Sequence, residues 1–288
     1  HVYDAWQATQ SLYLQQTINL SNNTSLGTGI RIQRNKINIE DKLDISAPDY
    51  AGWQTEHEKY SDYENNSSFN IGIDHQLDKK LLIFGRIGSG FRYPNIDDRI
   101  GGSGGTSLHL NTQKTQDIEI GSSFKGDNFL SNFSIYVIEG KNELTYDTDA
   151  FENINIDSTR RFGFELALIN RLSNKINLKN NFTFSKAKYT SGNIGAYATD
   201  FKDKDIPLVP QYSLDTSLEY KFSQSLKLVS TIKYQDDMRM ESDDENFQDT
   251  KIPNYVLGNI NLSYNVDKFY SIISINNILN HKYHNYAV

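Results

Sequence analysis

Charged residues recur at even spacing inside alternating apolar segments, and this is the first feature of the sequence that could do chemistry. Arg86 and Arg92 share one segment, Asp117 and Glu119 the next, and Arg161 and Glu165 a later one. On an extended chain, residues an even number apart point to the same face. Guanidinium and carboxylate groups on adjoining strands can therefore pair across the gap. Such a wall reads in two ways: as ion pairs that satisfy one another, or as a polar surface that meets something else. A second set is aromatic and basic. Trp53, His57, Tyr60 and Tyr63 lie in one long polar segment, and Tyr93 and His109 flank the stretch Gly101-Gly102-Ser103-Gly104-Gly105. These groups could hold a ligand, or be ordinary loop residues. The Gly-rich stretch is no phosphate cradle, because no Lys-Ser/Thr follows it and no helix begins there. It reads as a flexible loop tip.

Catalysis finds no support, and the expectation is a protein that is not an enzyme and carries no cofactor. The six histidines are His1, His57, His75, His109, His281 and His284. His281 and His284 are three apart, a spacing that converges on a helix but not on a strand or loop. His75 falls on an apolar face, where an interfacial role fits. No Ser/His/Asp arrangement can be assembled, and the absence of cysteine excludes disulfides, thiolate metal sites and cysteine nucleophiles. Asp236, Asp237, Asp243, Asp244, Glu245 and Asp249, with Met238 and Met240 among them, form an acidic stretch whose oxygens could hold calcium. Its spacing fits no EF-hand loop and lacks that loop's glycine, so solvated surface charge is the expectation and no metal site is assigned.

The elements that must position these residues are strands. The chain has 288 residues and a formal charge of −7; it is 37% hydrophobic but 12% aromatic, with 18 Tyr and 15 Phe. An acidic chain with no basic block is a poor nucleic-acid binder. Few apolar residues and many aromatics suit β-structure with one polar face. Period-2 alternation runs throughout. Ile118, Ile120 and Phe124 alternate with Asp117, Glu119, Gly121 and Ser123; Phe162, Phe164, Leu166 and Leu168 alternate with Arg161, Gly163, Glu165 and Ala167. The pattern predicts twelve strands, near 8–20, 24–34, 66–77, 80–91, 113–124, 128–139, 158–170, 175–188, 208–222, 225–236, 253–265 and 268–278. The connections alternate between short turns, such as Asp78-Lys79 and Ser173-Asn174, and long loops at 35–65, 92–112, 140–157, 189–207 and 237–252. Residues 1–288 therefore read as one meander of hairpins without a domain boundary.

An antiparallel sheet with one apolar face needs an apolar cover. Strands long enough to cross a bilayer when tilted, strictly alternating turn lengths, and aromatics beside the short turns favour lipid as that cover. Those aromatics are Phe124 and Phe129, Tyr220 and Phe222, and Tyr264, Phe269 and Tyr270. The fold expected is an all-β antiparallel transmembrane barrel, with a soluble β-sandwich as the rival. If the short turns are periplasmic, the first strand runs down and the twelfth runs up, so both ends lie outside the cell. A complete barrel keeps its termini in the periplasm, and an unpaired edge is not tolerated in lipid. The expectation is thus a part of a larger barrel rather than a closed twelve-stranded one.

Five segments carry a family resemblance. Gly90-Phe91-Arg92-Tyr93-Pro94-Asn95, Glu119-Ile120-Gly121, Gly163-Phe164-Glu165, Val209-Pro210, and Asn276-Asn277-Ile278-Leu279-Asn280-His281-Lys282-Tyr283 resemble, in order, strand-end and strand motifs from the C-terminal half of TonB-dependent outer-membrane receptors. The resemblance runs from about Leu12 to Tyr286. It implies a barrel of about 22 strands, of which these are the tenth to the twenty-first, in the outer membrane of a Gram-negative bacterium. It also implies TonB-coupled uptake of a scarce nutrient, a ferric siderophore or other iron complex first, with lipid, the nutrient ligand and the TonB complex as partners. The plug domain through which TonB would act, the TonB box and the last strand have no counterpart here. On this resemblance Arg86, Arg92, Asp117, Glu119, Arg161 and Glu165 become candidates to face a plug and a substrate path, Arg92 foremost. Trp53, His57, Tyr60, Tyr93 and His109 become candidates to capture an iron chelate. A passive pore or structural barrel without a plug is the alternative. The sequence carries no reading of oligomeric state.

Overall fold

The computed structural model describes residues 2–42, 59–100, 107–147, 151–191, 201–241 and 243–287. They form β1 (Val2–Ser21), β2 (Thr24–Lys42), β3 (Tyr60–Gln76), β4 (Leu81–Arg92), α1 (Ile96–Ile100), β5 (Gln113–Lys125), β6 (Phe129–Asp147), β7 (Glu152–Arg171), β8 (Ile176–Ser191), β9 (Tyr212–Lys221), β10 (Leu226–Gln235), β11 (Tyr255–Val266) and β12 (Phe269–Ile275). The strands build one antiparallel sheet in strict sequence order, β1 to β12. Each pairs only with its chain neighbours, and β1 and β12 are the open edges. The closed twelve-stranded rival is therefore not what forms.

The short turns are made by their own side chains. Asp78 Oδ1 accepts the N–H groups of Lys80 and Leu81, at 2.7 and 3.0 Å. Ser173 Oγ accepts those of Lys175 and Ile176, and Ser223 Oγ those of Ser225 and Leu226, all at 3.1–3.2 Å. A short side-chain acceptor that bonds its own backbone two or three residues on favours a tight turn.

Register settles the faces. Leu12 opposes Ile32, Ile30 opposes Phe69, Ile71 opposes Ile87, Ile87 opposes Ile118, Ile118 opposes Val137, and Val137 opposes Phe162. This face keeps its aliphatic and aromatic side chains uncovered: Leu12, Ile32, Ile71, Ile118, Ile120 and Ile273 are all largely exposed. No second layer of the described chain covers it, which removes the sandwich. The aromatics beside the short turns meet one another, with ring centroids 6.2 Å apart for Phe124 and Phe129, 4.7 Å for Tyr220 and Phe222, and 6.3 Å for Tyr264 and Phe269.

The opposite face is polar along most of its length, with glycines where a neighbour's ring takes the space of a side chain. Gly121 opposes Phe84 and Gly163 opposes Tyr136. A Cβ on Gly121 would run into the Phe84 ring and the Phe133 carbonyl; one on Gly163 would meet the Tyr136 hydroxyl and the Phe184 carbonyl. The glycines of the Glu119-Ile120-Gly121 and Gly163-Phe164-Glu165 segments are thus required by cross-strand aromatic packing.

Several strand ends differ from the sequence expectation. β1, β2 and β3 extend well past the predicted ends, and β6 and β7 continue through most of the expected 140–157 loop. Tyr60 and Tyr63 consequently belong to β3 rather than to a loop. Region 92–112 contains α1, where no helix was expected. β12 ends at Ile275, three residues short of the predicted end.

Candidate functional site

The polar face and the loops folded against its far end make the candidate site. Midway along it, Arg86 opposes Glu119 in register. Its guanidinium lies 3.7 Å from Glu119 and 3.8 Å from Asp74, over the Phe84 ring at 4.4 Å. Asp117 sits on the same face against Gly88, where its carboxylate fills the space a side chain would take. Arg86 and Glu119 thus pair across the two strands, while Asp117 lies on the same face against Gly88.

Arg92 and Tyr93 open the β4–β5 connection, and each residue of that segment has a job. Arg92 holds Asp98 through two hydrogen bonds of 2.9 and 3.1 Å. The Tyr93 hydroxyl donates to the Gln33 carbonyl at 2.8 Å, and Pro94 is fully buried. Asn95 caps α1: its Oδ1 accepts the Asp98 N–H at 2.7 Å while Asp98 Oδ2 accepts the Asn95 N–H at 2.8 Å, a reciprocal capping box. Ile96 and Ile100, four apart, then face Ile37, Ile39 and Leu108 in a small apolar cluster. Here the inner face is apolar because the connection folds onto it.

Arg99 fixes that connection. It is 0% exposed, bonds Glu64 at 3.1 Å and the Leu108 carbonyl, and lies 4.9 Å above the Tyr60 ring. Glu64 is joined in turn to Asn35, which accepts from Gln7 at 3.0 Å and Thr9 at 3.2 Å. Tyr60 also meets His109 edge to face, with centroids 5.4 Å apart. On its other side the connection is tied to β6 and β7: Asn155 bonds both Asn111 and Asn142, and Asn153 donates to the Asp98 carbonyl at 2.9 Å. So Tyr60, Tyr93 and His109 converge on one inward-folded connection, while Trp53, His57 and Gly101 to Gly105 lie outside the described residues.

Arg161 does not pair with Glu165. It turns to Glu143, with two hydrogen bonds of 2.5 and 2.8 Å, and Thr159 adds a third at 2.5 Å. Burial pushes the Glu143 carboxyl up, but the bonds from Arg161 and Thr159 and the Arg161 charge outweigh it and hold the group below its usual range. Glu165 remains exposed on the inner face. Nearby, Tyr189 packs on Ile156 and Phe201, and its hydroxyl bonds the Asp244 carboxylate. Burial raises both groups above their ordinary values.

The acidic stretch is not solvated charge throughout. Asp243 is 2% exposed and pairs with Arg239 at 2.7 Å; Asp237 pairs with Lys251 at 2.8 Å; Asp236 accepts from Tyr234 at 3.0 Å. Their oxygens are engaged within the chain, and among the described residues no three acidic or histidine side chains gather as a metal site. His281 is drawn into a backbone turn, its N–H bonded to Asn277 Oδ1 at 3.1 Å. Asn277 and Asn280 supply the positive φ of that turn, 50° and 49°.

Sequence reasoning missed Glu64, Arg99, Glu143 and Tyr189, and it named Asp244 only as one carboxylate of the acidic stretch, not as the partner of Tyr189.

Comparison with known proteins agrees with this architecture. Residues 2–280 match the sequence model of the family described as TonB dependent receptor-like, beta-barrel. No curated protein sequence matches. Among solved structures, the chain is similar to the siderophore receptor PiuA from Acinetobacter baumannii, with TM-score 0.79 and 19% identity over 99% of this chain and 40% of that one. It is similar to the ferric-catecholate import receptor Fiu from E. coli in its closed form, with TM-score 0.76 and 14% identity over 99% and 42%. It is also similar to the copper transporter OprC, with TM-score 0.78 and 15% identity over 97% and 42%. The chain thus spans about 40% of the length of the structures it matches.

Proposed function

This chain belongs to the TonB-dependent receptor-like β-barrel family of the Gram-negative outer membrane, and we propose that it forms part of the barrel wall of a receptor for TonB-coupled uptake of an iron complex, a ferric siderophore first. The observation that carries the proposal is the inward-folded β4–β5 connection above a charged inner wall. A passive pore needs an open lumen, whereas here Arg99, Tyr93 and Asn155 pin a connection inside the mouth.

Three further assignments rest on the same reading. The open edges of β1 and β12 are completed by more strands of one barrel of about 22. Arg86, Asp117, Glu119 and Glu165 face a plug, which couples to the TonB complex, while Arg92 reaches it from beside Asp98. Tyr60, Tyr93 and His109 line the approach of the chelate; Trp53 and His57, expected with them, lie outside the described residues. PiuA and Fiu are receptors for siderophores and ferric catecholates by their names, which favours iron. OprC is a copper transporter, which makes copper the second substrate to try.

The test is uptake. Cells that depend on the full-length protein are given radio-iron as a panel of ferric chelates, and radio-copper in parallel, with and without a functional TonB. Saturable, TonB-dependent iron uptake supports the reading. Copper uptake under the same dependence moves the substrate. Uptake that is linear in concentration and indifferent to TonB supports the pore instead.

A further inference from the structure

The outward face changes character abruptly one turn of pleat above its aliphatic band. On β2, Ile30 and Ile32 give way to Arg34 and Lys36; on β5, Ile120 and Ile118 to Gln116 and Lys114; on β6, Ile135 and Val137 to Glu139 and Lys141; on β7, Phe164 and Phe162 to Arg160. β8 carries Lys186 and Lys188 at this height, Lys188 bonded to the Asp203 carbonyl at 2.6 Å, and β9 and β10 carry Tyr212 and Tyr234 instead. The basic sector is local, not a uniform rim.

Most of its cations are engaged. Arg160 pairs with Glu139 at 2.6 Å, and Arg34 and Lys36 lie over the Tyr63 ring at 4.5 and 4.8 Å. Lys114 and Lys141 are different. They oppose each other directly in the β5–β6 register, on the same outward face, both exposed. Like charges placed opposite on neighbouring strands repel, and among the described residues no carboxylate lies within ion-pair distance of either. Glu139, the acidic side chain on that stretch of face among the described residues, is turned to Arg160.

Beside this pair the wall parts. The β3–β4 ladder stops at Asn70 and Gly88, although β3 continues on β2 to Tyr60 and β4 on β5 to Arg92. The parting leaves an open groove of about 620 Å³, lined by Asn65, Ser67 and Phe69 on one side and Phe91, Lys114, Lys141 and the Arg160-paired Glu139 on the other. At the parting the Phe69 N–H is met by Ser89 Oγ at 3.1 Å; lipid tails offer polar groups no partner, whereas a headgroup at the water boundary does. Below the groove, exposed Ile87 and Ile118 lead down the apolar band.

We propose that this groove binds the phosphate-bearing headgroup of an outer-leaflet lipid, with Lys114 and Lys141 sharing the phosphate and the acyl chains lying along Ile87 and Ile118. The anion supplies what the lysine pair lacks, and the covalently attached chains supply the apolar contact. This goes beyond the uptake reading and stands or falls apart from it.

The full-length protein, purified in a neutral detergent, is offered equal amounts of dioleoyl phosphatidic acid and dioleoyl phosphatidylcholine, and the lipid retained is counted by native mass spectrometry. The wild type retains the acid in preference by about tenfold, on the order of what two interfacial lysines supply. The double variant Lys114→Gln/Lys141→Gln loses that preference, Lys114→Arg/Lys141→Arg keeps it, and Lys179→Gln, on the inner face, leaves it unchanged. Heat-modifiable migration on gels shows that each variant is folded. Equal retention of the two lipids, or a preference that survives the double glutamine variant, overturns the proposal. So does displacement by inorganic phosphate at equal concentration, which would mark a simple anion site.

Discussion

Arg99 illustrates what one residue does here. It is sealed from water between Glu64, the Leu108 carbonyl and the Tyr60 ring. Truncating one partner of a buried, bonded charge leaves the other uncompensated, at a cost of about 3 kcal/mol or more. Arg99→Met should therefore free the β4–β5 connection while the sheet stays intact, and limited proteolysis should cut within residues 93–112 many times faster than in the wild type. Unchanged cleavage would mean the connection is held elsewhere. Glu143 makes a pH prediction. Its native carboxyl titrates below the ordinary value of 4.5 because Arg161 and Thr159 favour the charged form over the opposing effect of burial. The native state thus binds its proton later than the unfolded one. The stabilisation is complete above pH 4.5 and is lost as pH falls through the lowered value. Glu143→Gln should cost about 2 kcal/mol at neutral pH and flatten the acid limb of the melting curve. A parallel acid limb in the variant would remove Glu143 from that role. Glu143 was illegible in the sequence because its partner lies eighteen positions along the chain, across a hairpin that had read as a loop.

At the scale of elements, all twelve strands and all six short turns were legible. The alternation holds along most of each strand, where lipid and lumen impose opposite demands, and Asp78, Ser173 and Ser223 are chosen for turns. What was not legible lies beyond the apolar band. There the pattern changes sense: Ile37 and Ile39 point inward to the α1 cluster, and Arg34, Asn35 and Lys36 interrupt the greasy run, so the strand looks finished eight residues early. The five residues of α1 are too few to display a helical period. The motif glycines were recognised as motifs, but their cause, the flat rings of Phe84 and Tyr136, needs the register. Face assignment yields its own prediction. Ile120→Arg places a cation in the middle of the outward band and should destabilise the barrel by about 2–4 kcal/mol, read as a lower unfolding midpoint in urea with liposomes. Glu119→Gln, one residue away on the inner face, should move the midpoint by less than half as much. Equal effects would contradict the face assignment.

For the whole molecule, the informative fact is an open sheet. β1 and β12 leave two rows of backbone groups without partners among the described residues, and hydrocarbon cannot satisfy them. Residues 1–288 expressed alone should therefore fail to give a heat-modifiable species in outer membranes, while the full-length protein gives one; a stable folded band from the 288-residue chain would show that it closes on itself. Substrate identity was not legible at any scale. Aromatic side chains such as Tyr60 and Tyr93 do not by their type distinguish one chelate from another.

The central claim is that one face of this sheet meets lipid and the other meets water. Nitroxide labels placed in turn at positions 117, 118, 119 and 120 of β5, in the full-length protein in liposomes, test it directly through collision with oxygen and with a water-soluble nickel chelate. Labels replacing Ile118 and Ile120 should be relaxed by oxygen and sheltered from nickel, and labels replacing Asp117 and Glu119 should show the reverse. Four labels with the same accessibility, or the alternation inverted, would contradict the account.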